Sequence, residues 1–130
     1  MPITALFAGL LAPLYIVLAL RVIGSRRSAR VALGDGGDPG LTRRMRVHAN
    51  FAEYAPFTLL LMGLAESLQA SQATLYAAGG CIVAGRLLHA LGVSQANEII
   101  VIRTAGITLT ISAIIIAALA CIRLGLAVHT

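Results

Sequence analysis

Three polar side chains interrupt a long apolar stretch of the sequence at a spacing that brings them together. Arg46, Asn50 and Glu53 stand at positions i, i+4 and i+7, so a helix carries all three on one face. Glu53 lies roughly 15 Å along that helix from Arg43, near the middle of a hydrocarbon layer about 30 Å thick. A carboxylate at that depth is costly unless it faces a partner or a polar cavity. The triplet therefore predicts a binding site.

The composition indicates an integral membrane protein. The chain has 130 residues, of which 58% are hydrophobic, and its mean hydropathy is +0.90; a soluble domain of this size needs more polar surface. All ten basic residues are arginines, whose planar guanidinium groups suit carboxylate, phosphate or sulfonate. The basic residues lack interleaved aromatics, which argues against nucleic-acid binding. The two cysteines and three histidines lack the spacing of a redox or metal site.

Four apolar stretches predict a single domain with four membrane-spanning helices. The predicted spans are residues 3–23, 42–65, 73–91 and 99–122. Asp38, placed before Pro39, predicts an N-cap for the second helix. Gly79, Gly80 and Gly85 would let another helix approach the third one closely. The predicted fold class is therefore all-α, an integral membrane four-helix bundle.

The arginines set the predicted orientation of the spans. Seven of them border the first loop, namely Arg21, Arg26, Arg27, Arg30, Arg43, Arg44 and Arg46. The positive-inside rule places this loop in the cytoplasm and both termini on the far side. The polar residues that this topology gathers at the cytoplasmic ends of the helices are Arg46, Asn50, Arg86, His89 and Arg103. A cationic pocket with Glu53 at its floor would suit a small multiply charged anion that also carries one cationic amine.

Several stretches of the chain resemble a known superfamily, the membrane-associated proteins in eicosanoid and glutathione metabolism (MAPEG). The pattern Arg46-x3-Asn50-x2-Glu53-Tyr54-x-Pro56 is similar to the second-helix signature of that family. Residues 21–31 and 85–92 are similar to the end of its first helix and to its third-helix segment, and residue 103 falls where its fourth helix begins. The resemblance covers the whole chain and its four-span layout.

This resemblance implies a homotrimer similar to the microsomal glutathione transferases. Glutathione, as co-substrate, would bind between subunits near the cytoplasmic face, and a lipophilic electrophile or lipid hydroperoxide would enter from the bilayer. Arg103 matches the arginine that stabilises the glutathione thiolate, which makes it the expected catalytic residue. The residues expected to bind glutathione are Arg46, Asn50, Glu53, Tyr54, Arg26, Arg27, Arg86 and His89. The arginines would hold its carboxylates, and Glu53 would meet its ammonium group.

Other interpretations stay open for the function and for single residues. The same fold would also serve a non-catalytic trimer that binds or presents lipid. A small transporter subunit is disfavoured, because the sequence has neither broken helices nor inverted repeats. Arg46 and Glu53 could form a structural ion pair. Arg86 could anchor its helix, and His89 could bridge two helices.

The sequence also suggests location and partners. We take the short chain with arginine as its sole basic residue to indicate a bacterial inner membrane. The expected partners are further copies of the chain, membrane lipids and a lipophilic small-molecule substrate, without nucleic acid or metal. Ala49 stands where a prostaglandin synthase of the family has an arginine. His89, Val93 and Ile107 stand where animal relatives have tyrosines. Eicosanoid specificity is therefore not expected.

Overall fold

The computed structural model describes residues 1–94 and 99–127, which form four α-helices. These are α1 (Pro2–Ala29), α2 (Pro39–Ser67), α3 (Gln72–Ser94) and α4 (Ile100–Ala127). No strand occurs among the described residues, so the predicted all-α, four-helix architecture is confirmed. Each helix runs beyond its predicted span at one end or both, because a helix does not stop where the hydrocarbon layer stops. His129, one of the three histidines considered for a metal site, lies outside the described residues.

The four helices differ in how apolar they are. By length and composition, α1, α3 and α4 could each cross a membrane. α2 is 29 residues long, but its first half carries Arg43, Arg44, Arg46 and Glu53, so its apolar residues are concentrated in the second half. The second predicted span is therefore a helix that is polar in its first half and apolar in its second half. Such a helix suits the inside of a bundle, where neighbouring helices keep its polar face away from lipid.

The bundle has α2 and α3 at its centre. α1 and α4 each pack against both of these helices, and α1 does not contact α4 within the described residues. α3 and α4 form the most extensive contact. The core between the helices contains Leu11, Phe51, Met62, Ile82 and Ala113, all nearly or fully buried. Side chains of α2 and of α3 can therefore reach every other helix.

Glycines explain why α3 and α4 approach so closely. A Cβ added at Gly85 would lie 2.7 Å from the Thr110 Oγ1 and 2.9 Å from the carbonyl oxygen of Gly106. A Cβ at Gly106 would collide with the backbone nitrogen of His89. The backbones themselves are therefore in contact, as small residues permit in membrane bundles.

The three glycines predicted to allow close approach behave differently. Gly85 packs against α4, and Gly79 packs against the ring of Phe7 on α1, which a Cβ would overlap. Both are confirmed as close-contact positions. A Cβ added at Gly80 would have no atom within 4 Å, so no helix among the described residues approaches it closely. Close approach of a helix from another copy of the chain stays a prediction for this residue.

The start of α2 is capped as predicted. Asp38 is the N-cap residue, with Pro39 in the first turn. The Oδ1 atom of Asp38 accepts hydrogen bonds from the backbone N–H groups of Gly40 at 2.7 Å and Leu41 at 3.3 Å. These bonds satisfy amide groups that have no partner within the helix. The cap fixes where α2 begins and hence which of its residues face inward.

The end of α2 is joined to the start of α1 by a carboxylate. The Oε1 of Glu66 accepts a hydrogen bond from the backbone N–H of Ile3 at 2.9 Å, and its Oε2 accepts one from Thr4 at 2.8 Å. The N-cap residue of α1 makes no side-chain capping bond of its own. Glu66 therefore takes the place of a local cap and binds two helices together at the end of the bundle opposite the arginines of the first loop.

Candidate functional site

A single cavity brings together five of the residues predicted to bind or activate a ligand. It has a volume of about 320 Å³. Its walls are formed by Arg46, Ala49, Asn50, Glu53, His89, Val93 and Arg103. The lining residues come from α2, α3 and α4, at the end of the bundle where the arginines cluster. The site therefore depends on tertiary packing as well as on the spacing within each helix.

The α2 wall of the cavity carries two charged groups of opposite sign. Arg46, Ala49, Asn50 and Glu53 follow the helical spacing that the sequence predicted, and all four line the cavity. Arg46 and Glu53 are exposed on the single chain. Neither of them makes a hydrogen bond or an ion pair with any described residue. The structural ion pair considered from the sequence is therefore not formed within the described chain, and both charges remain available to another molecule.

The α3 wall carries a histidine whose ring nitrogens have no partner. His89 is only 7% exposed. Among the described residues, neither Nδ1 nor Nε2 of this ring makes a hydrogen bond. Buried polar atoms in folded proteins are nearly always paired with protein or water. Because His89 lines the cavity, the natural partner for its ring is whatever fills that space.

The α4 wall is positioned by contacts between the end of α3 and the start of α4. The backbone N–H of Ile99 donates to the carbonyl oxygen of Gly92 at 3.3 Å, and that of Arg103 donates to the carbonyl oxygen of Ile99 at 3.0 Å. A Cβ at Gly92 would lie 2.7 Å from the backbone nitrogen of Arg103. This close approach sets Arg103 opposite the α2 wall, where it lines the same cavity as Glu53.

Behind the cavity wall lies a second polar group, which we call the Arg86 cluster: Asn50, Tyr54, Arg86 and Thr110. Arg86 is 2% exposed. Its Nη1 donates to the Oδ1 of Asn50 at 2.6 Å and to the Asn50 backbone oxygen at 3.3 Å. Its Nε and Nη2 donate to the Thr110 Oγ1 at 3.0 and 2.5 Å. Its Cζ lies 5.3 Å from the centre of the Tyr54 ring.

The Arg86 cluster changes how two of the predicted binding residues are understood. Neither Arg86 nor Tyr54 is among the residues that line the cavity. Arg86 instead joins α2 and α4 through α3, so the alternative that it anchors its helix describes its contacts well. A direct contact of Arg86 or Tyr54 with glutathione stays a prediction that the contacts within the chain do not favour.

Arg26 and Arg27 lie apart from the cavity. Together with Arg30 they line a separate, shallow depression of about 380 Å³ at the end of α1. Nη1 of Arg26 donates to the backbone oxygens of Gly34 at 2.9 Å and Ala32 at 3.3 Å, so this side chain holds the first loop. A role of Arg26 or Arg27 in the glutathione site would require that a neighbouring subunit bring them to the cavity.

Two residues of α4 escaped the sequence analysis although they shape the site. Thr110 accepts two hydrogen bonds from Arg86, and Gly106 allows α4 to touch α3 beside His89. A signal was present: they follow Arg103 at i+3 and i+7, which places them on one helix face with it. The spacing rule that singled out the α2 triplet would have found them as well.

The cavity suits a ligand that carries several negative charges and one positive charge. Arg46 and Arg103 supply guanidinium groups, and Glu53 supplies the carboxylate. A guanidinium also favours the ionised form of a thiol bound beside it, and each unit of pKa corresponds to about 1.4 kcal/mol. Among the described residues, no group of three His, Cys, Asp or Glu side chains is placed to hold a metal ion.

Comparison with known proteins agrees with the family resemblance found in the sequence. The MAPEG family matches residues 4–123, a range that includes every residue of the cavity. The inner membrane protein YecN of Escherichia coli K12 is 37% identical over 90 residues, which are 69% of this chain and 69% of YecN. YecN of E. coli O6:H1 has the same identity and coverage. With four helices among the described residues, three of them apolar enough to cross a membrane, the chain is a multi-pass membrane protein that belongs to the MAPEG family.

Proposed function

We propose that this protein is a membrane-bound glutathione transferase or glutathione peroxidase that acts on lipophilic electrophiles or lipid hydroperoxides. The observation that carries this proposal is the cavity in which Arg46, Glu53 and His89 have no partner among the described residues. Membership of the MAPEG family supports the choice of glutathione over other anions. In the alternative, a lipid-presenting trimer, nothing would require these polar groups to face a common space.

Glutathione matches the cavity group by group. It has two carboxylates, one ammonium group and one thiol. Arg46 would bind a carboxylate, Glu53 would bind the ammonium group, and Arg103 would lie beside the sulfur. The volume of about 320 Å³ is at the lower end of the range for small-molecule sites, about 300–1,000 Å³. A tripeptide would therefore fill it and extend toward its mouth.

The reaction follows from the stabilised thiolate. In the transferase reaction, the thiolate attacks the electrophilic carbon, a carbon–sulfur bond forms and the leaving group departs with its electron pair. In the peroxidase reaction, the thiolate attacks one peroxide oxygen, and the other oxygen takes a proton and leaves as the alcohol. A second glutathione then reduces the sulfenic acid, which releases water and glutathione disulfide. Arg103 would contribute to both reactions by favouring the ionised thiol.

A homotrimer would complete the site. Glu53 is exposed on the single chain, although a carboxylate near the middle of a bilayer must be sheltered from lipid. A neighbouring copy packed against α2 would cover it and could bring Arg26 or Arg27 to the open side of the cavity. Light scattering with detergent correction should then give three chains per particle, and a stable, active monomer would rule this out.

The proposed orientation puts the cavity on the cytoplasmic side of an inner membrane. The relative YecN is named as an inner membrane protein, and the arginines of the first loop favour the cytoplasm. In a variant without Cys81 and Cys121, a cysteine introduced at Gly36 should resist an impermeant maleimide added to intact cells. Strong labelling from outside would invert the orientation and place the site in the wrong compartment for glutathione.

Calorimetry of the detergent-purified protein with glutathione tests the proposal directly. We expect saturable binding that is lost in Arg46→Gln and kept in the matched control Arg44→Gln. Arg44 is a near neighbour that hydrogen-bonds Ser25 and does not line the cavity. Turnover is then followed by the absorbance change with an aryl halide and glutathione. Binding without turnover of aryl halide or hydroperoxide would favour the lipid-presenting trimer, and the absence of binding would reject the glutathione site.

A further inference from the structure

Among the described residues, no carboxylate lies beside the buried cation Arg86. Within the described residues its acceptors are the Asn50 side-chain and backbone oxygens and the Thr110 hydroxyl. A buried arginine that stabilises a fold is normally paired with an acid, because removing its charge from water is costly. The guanidinium of Arg86 instead donates to the side-chain amide of Asn50, which lines the cavity. This hydrogen bond determines the direction in which that amide points.

The hydrogen bond to Asn50 fixes which end of the amide faces the cavity. A guanidinium can only donate hydrogen bonds, so it must meet the amide oxygen and not the nitrogen. The Nη1–Oδ1 distance of 2.6 Å is that of a strong, charge-assisted bond. Because Oδ1 is turned toward Arg86 and Asn50 lines the cavity, the NH2 group is the part of the amide that is left for a ligand.

Arg86 is itself held in place from the opposite side. Thr110 Oγ1 accepts hydrogen bonds from two of its nitrogens and donates its own proton to the backbone oxygen of Gly106 at 2.9 Å. The Tyr54 ring lies against the guanidinium group. Gly85 lets α4 approach so closely that Thr110 reaches Arg86. Each residue in the series of contacts from Thr110 on α4 through Arg86 to Asn50 is therefore held in place by its neighbours.

We propose that Arg86 is a positioning residue of the glutathione site: it orients the Asn50 amide so that its NH2 group meets an acceptor oxygen of the ligand. This inference rests on the proposed function of the cavity. It assigns the part of the cavity beside Asn50 to a carboxylate or peptide carbonyl, and the part beside Glu53 to the ammonium group. It also explains how Arg86 would influence binding without touching the ligand.

A double-mutant cycle separates this indirect role from direct contact. Arg86→Met, which keeps length but removes every donor, should weaken glutathione binding about fivefold to tenfold, the usual effect of one misplaced hydrogen bond. In the Asn50→Ala background the same substitution should change the affinity by less than about twofold, since nothing is left to orient. Losses that simply multiply in the double variant would show that Arg86 acts on the ligand by another route.

Controls separate positioning from general damage. Arg123→Met removes an exposed arginine outside both polar regions and should leave binding unchanged. If Arg86→Met fails to fold, Asn50→Asp decides the matter. It should fold, because the guanidinium gains a carboxylate partner, yet bind glutathione at least about tenfold more weakly, because an oxygen replaces the NH2 group in the cavity. Unchanged binding in Asn50→Asp would overturn the proposal.

Nuclear magnetic resonance of the Asn50 amide gives a readout that needs no ligand. The chain contains two asparagines, at positions 50 and 97, so labelling asparagine side chains with nitrogen-15 yields two NH2 pairs, and Asn50→Asp identifies one of them. In the glutathione-free protein, Arg86→Met should shift and broaden the Asn50 pair. An unchanged Asn50 pair refutes the positioning role even if glutathione binds. A changed pair without any glutathione binding refutes the proposed function and leaves the orientation of the amide established.

Discussion

Two polar regions meet at Asn50 and differ in how their hydrogen-bonding groups are satisfied. Behind the wall, the Arg86 cluster pairs its donors with acceptors and is almost fully buried at Arg86 and Thr110. In front of it, the cavity contains Arg46, Glu53 and His89, which have no partner among the described residues. His89 is the buried member of this set, and buried polar groups in folded proteins are rarely left unpaired. The first region is therefore satisfied within the chain, whereas the second leaves its polar groups available to another molecule.

The largest expected effect concerns turnover and comes from the cavity. Arg103→Ala should lower turnover about 100-fold, a magnitude typical for the loss of one group that stabilises developing negative charge. Glutathione affinity should fall much less, because the charge of Arg103 matters most once the thiol has ionised. Steady-state kinetics, calorimetry and thiolate absorbance of the complex measure these effects separately. Full turnover with unchanged thiolate absorbance would remove Arg103 from the reaction, and His89 would become the next candidate.

Glu53→Gln tests whether the cavity binds a ligand. It should weaken glutathione binding about 10- to 100-fold, because a hydrogen bond between charged groups contributes about 1.5–3 kcal/mol. Thermal stability should not change, since Glu53 has no partner among the described residues of its own chain. Calorimetry and thermal unfolding of the same preparation give both quantities. A fall in stability with unaltered affinity would assign Glu53 to subunit packing.

Gly106→Ala tests the close packing of α3 against α4 beside the Arg86 cluster. The added methyl group would meet the His89 backbone and force α3 and α4 apart, at a cost of about 1–3 kcal/mol in unfolding free energy. Gly80→Ala is the matched control, because no atom lies within 4 Å of its added Cβ. That control should be neutral or stabilise α3 by up to about 1 kcal/mol. Unfolding in mixed micelles compares the two, and equal stability would contradict the close backbone contact.

Glu66→Ala should reduce stability and leave both polar regions intact. It removes the carboxylate that caps α1, and the loss of such a cap costs about 1 kcal/mol. Glutathione affinity and turnover should stay within error of the original chain, because Glu66 lies at the opposite end of the bundle. A specific loss of binding at unchanged stability would mean that the two ends are coupled in a way that the contacts do not show.

The smallest expected effect is a local pH dependence in the first loop. Hydrogen bonds from the Thr42 hydroxyl at 2.6 Å and from the Gly37 N–H at 3.0 Å hold the pKa of Asp35 below its usual value. Because the folded-state pKa is depressed, the stabilisation is present above the unfolded-state pKa and is lost as pH falls through the folded-state pKa. The Gly37 amide signal should therefore move only at acidic pH, and Asp35→Asn should abolish this step. A midpoint at or above the ordinary aspartate value would refute it.

Much of the fold and of the cavity could be predicted from the sequence because both follow from the spacing of residues along the helices. Helical periodicity put Arg46, Asn50 and Glu53 on one face, and the alternating direction of the spans brought His89 and Arg103 to the same end. The capping role of Asp38 is confirmed for a similar reason, since the signal is local. The role of the cavity residues in binding glutathione stays a prediction.

The contacts of the Arg86 cluster could not be predicted because they depend on which helix faces meet. Arg86 has the same residue type as Arg46 and Arg103 and stands three residues before His89. The packing of α3 against α2 and α4 shows that Arg86 points to Asn50 and Thr110 instead. Glu66 is a comparable case at the other end, because a cap supplied by a different helix leaves no local signal. The spacing of residues within one helix does not show which distant parts of the chain contact each other.

The position of Arg86 also has a consequence for biogenesis. A helix that enters lipid alone with an arginine near its centre faces a cost of about 2.5–3.5 kcal/mol on insertion scales. The acceptors of Arg86 belong to α2, which is synthesised before α3, and to α4, which is synthesised after it. Asn50 is therefore already available when α3 emerges, whereas Thr110 arrives last. We expect α3 to leave the insertion machinery beside α2 and to reach its final position only when α4 follows.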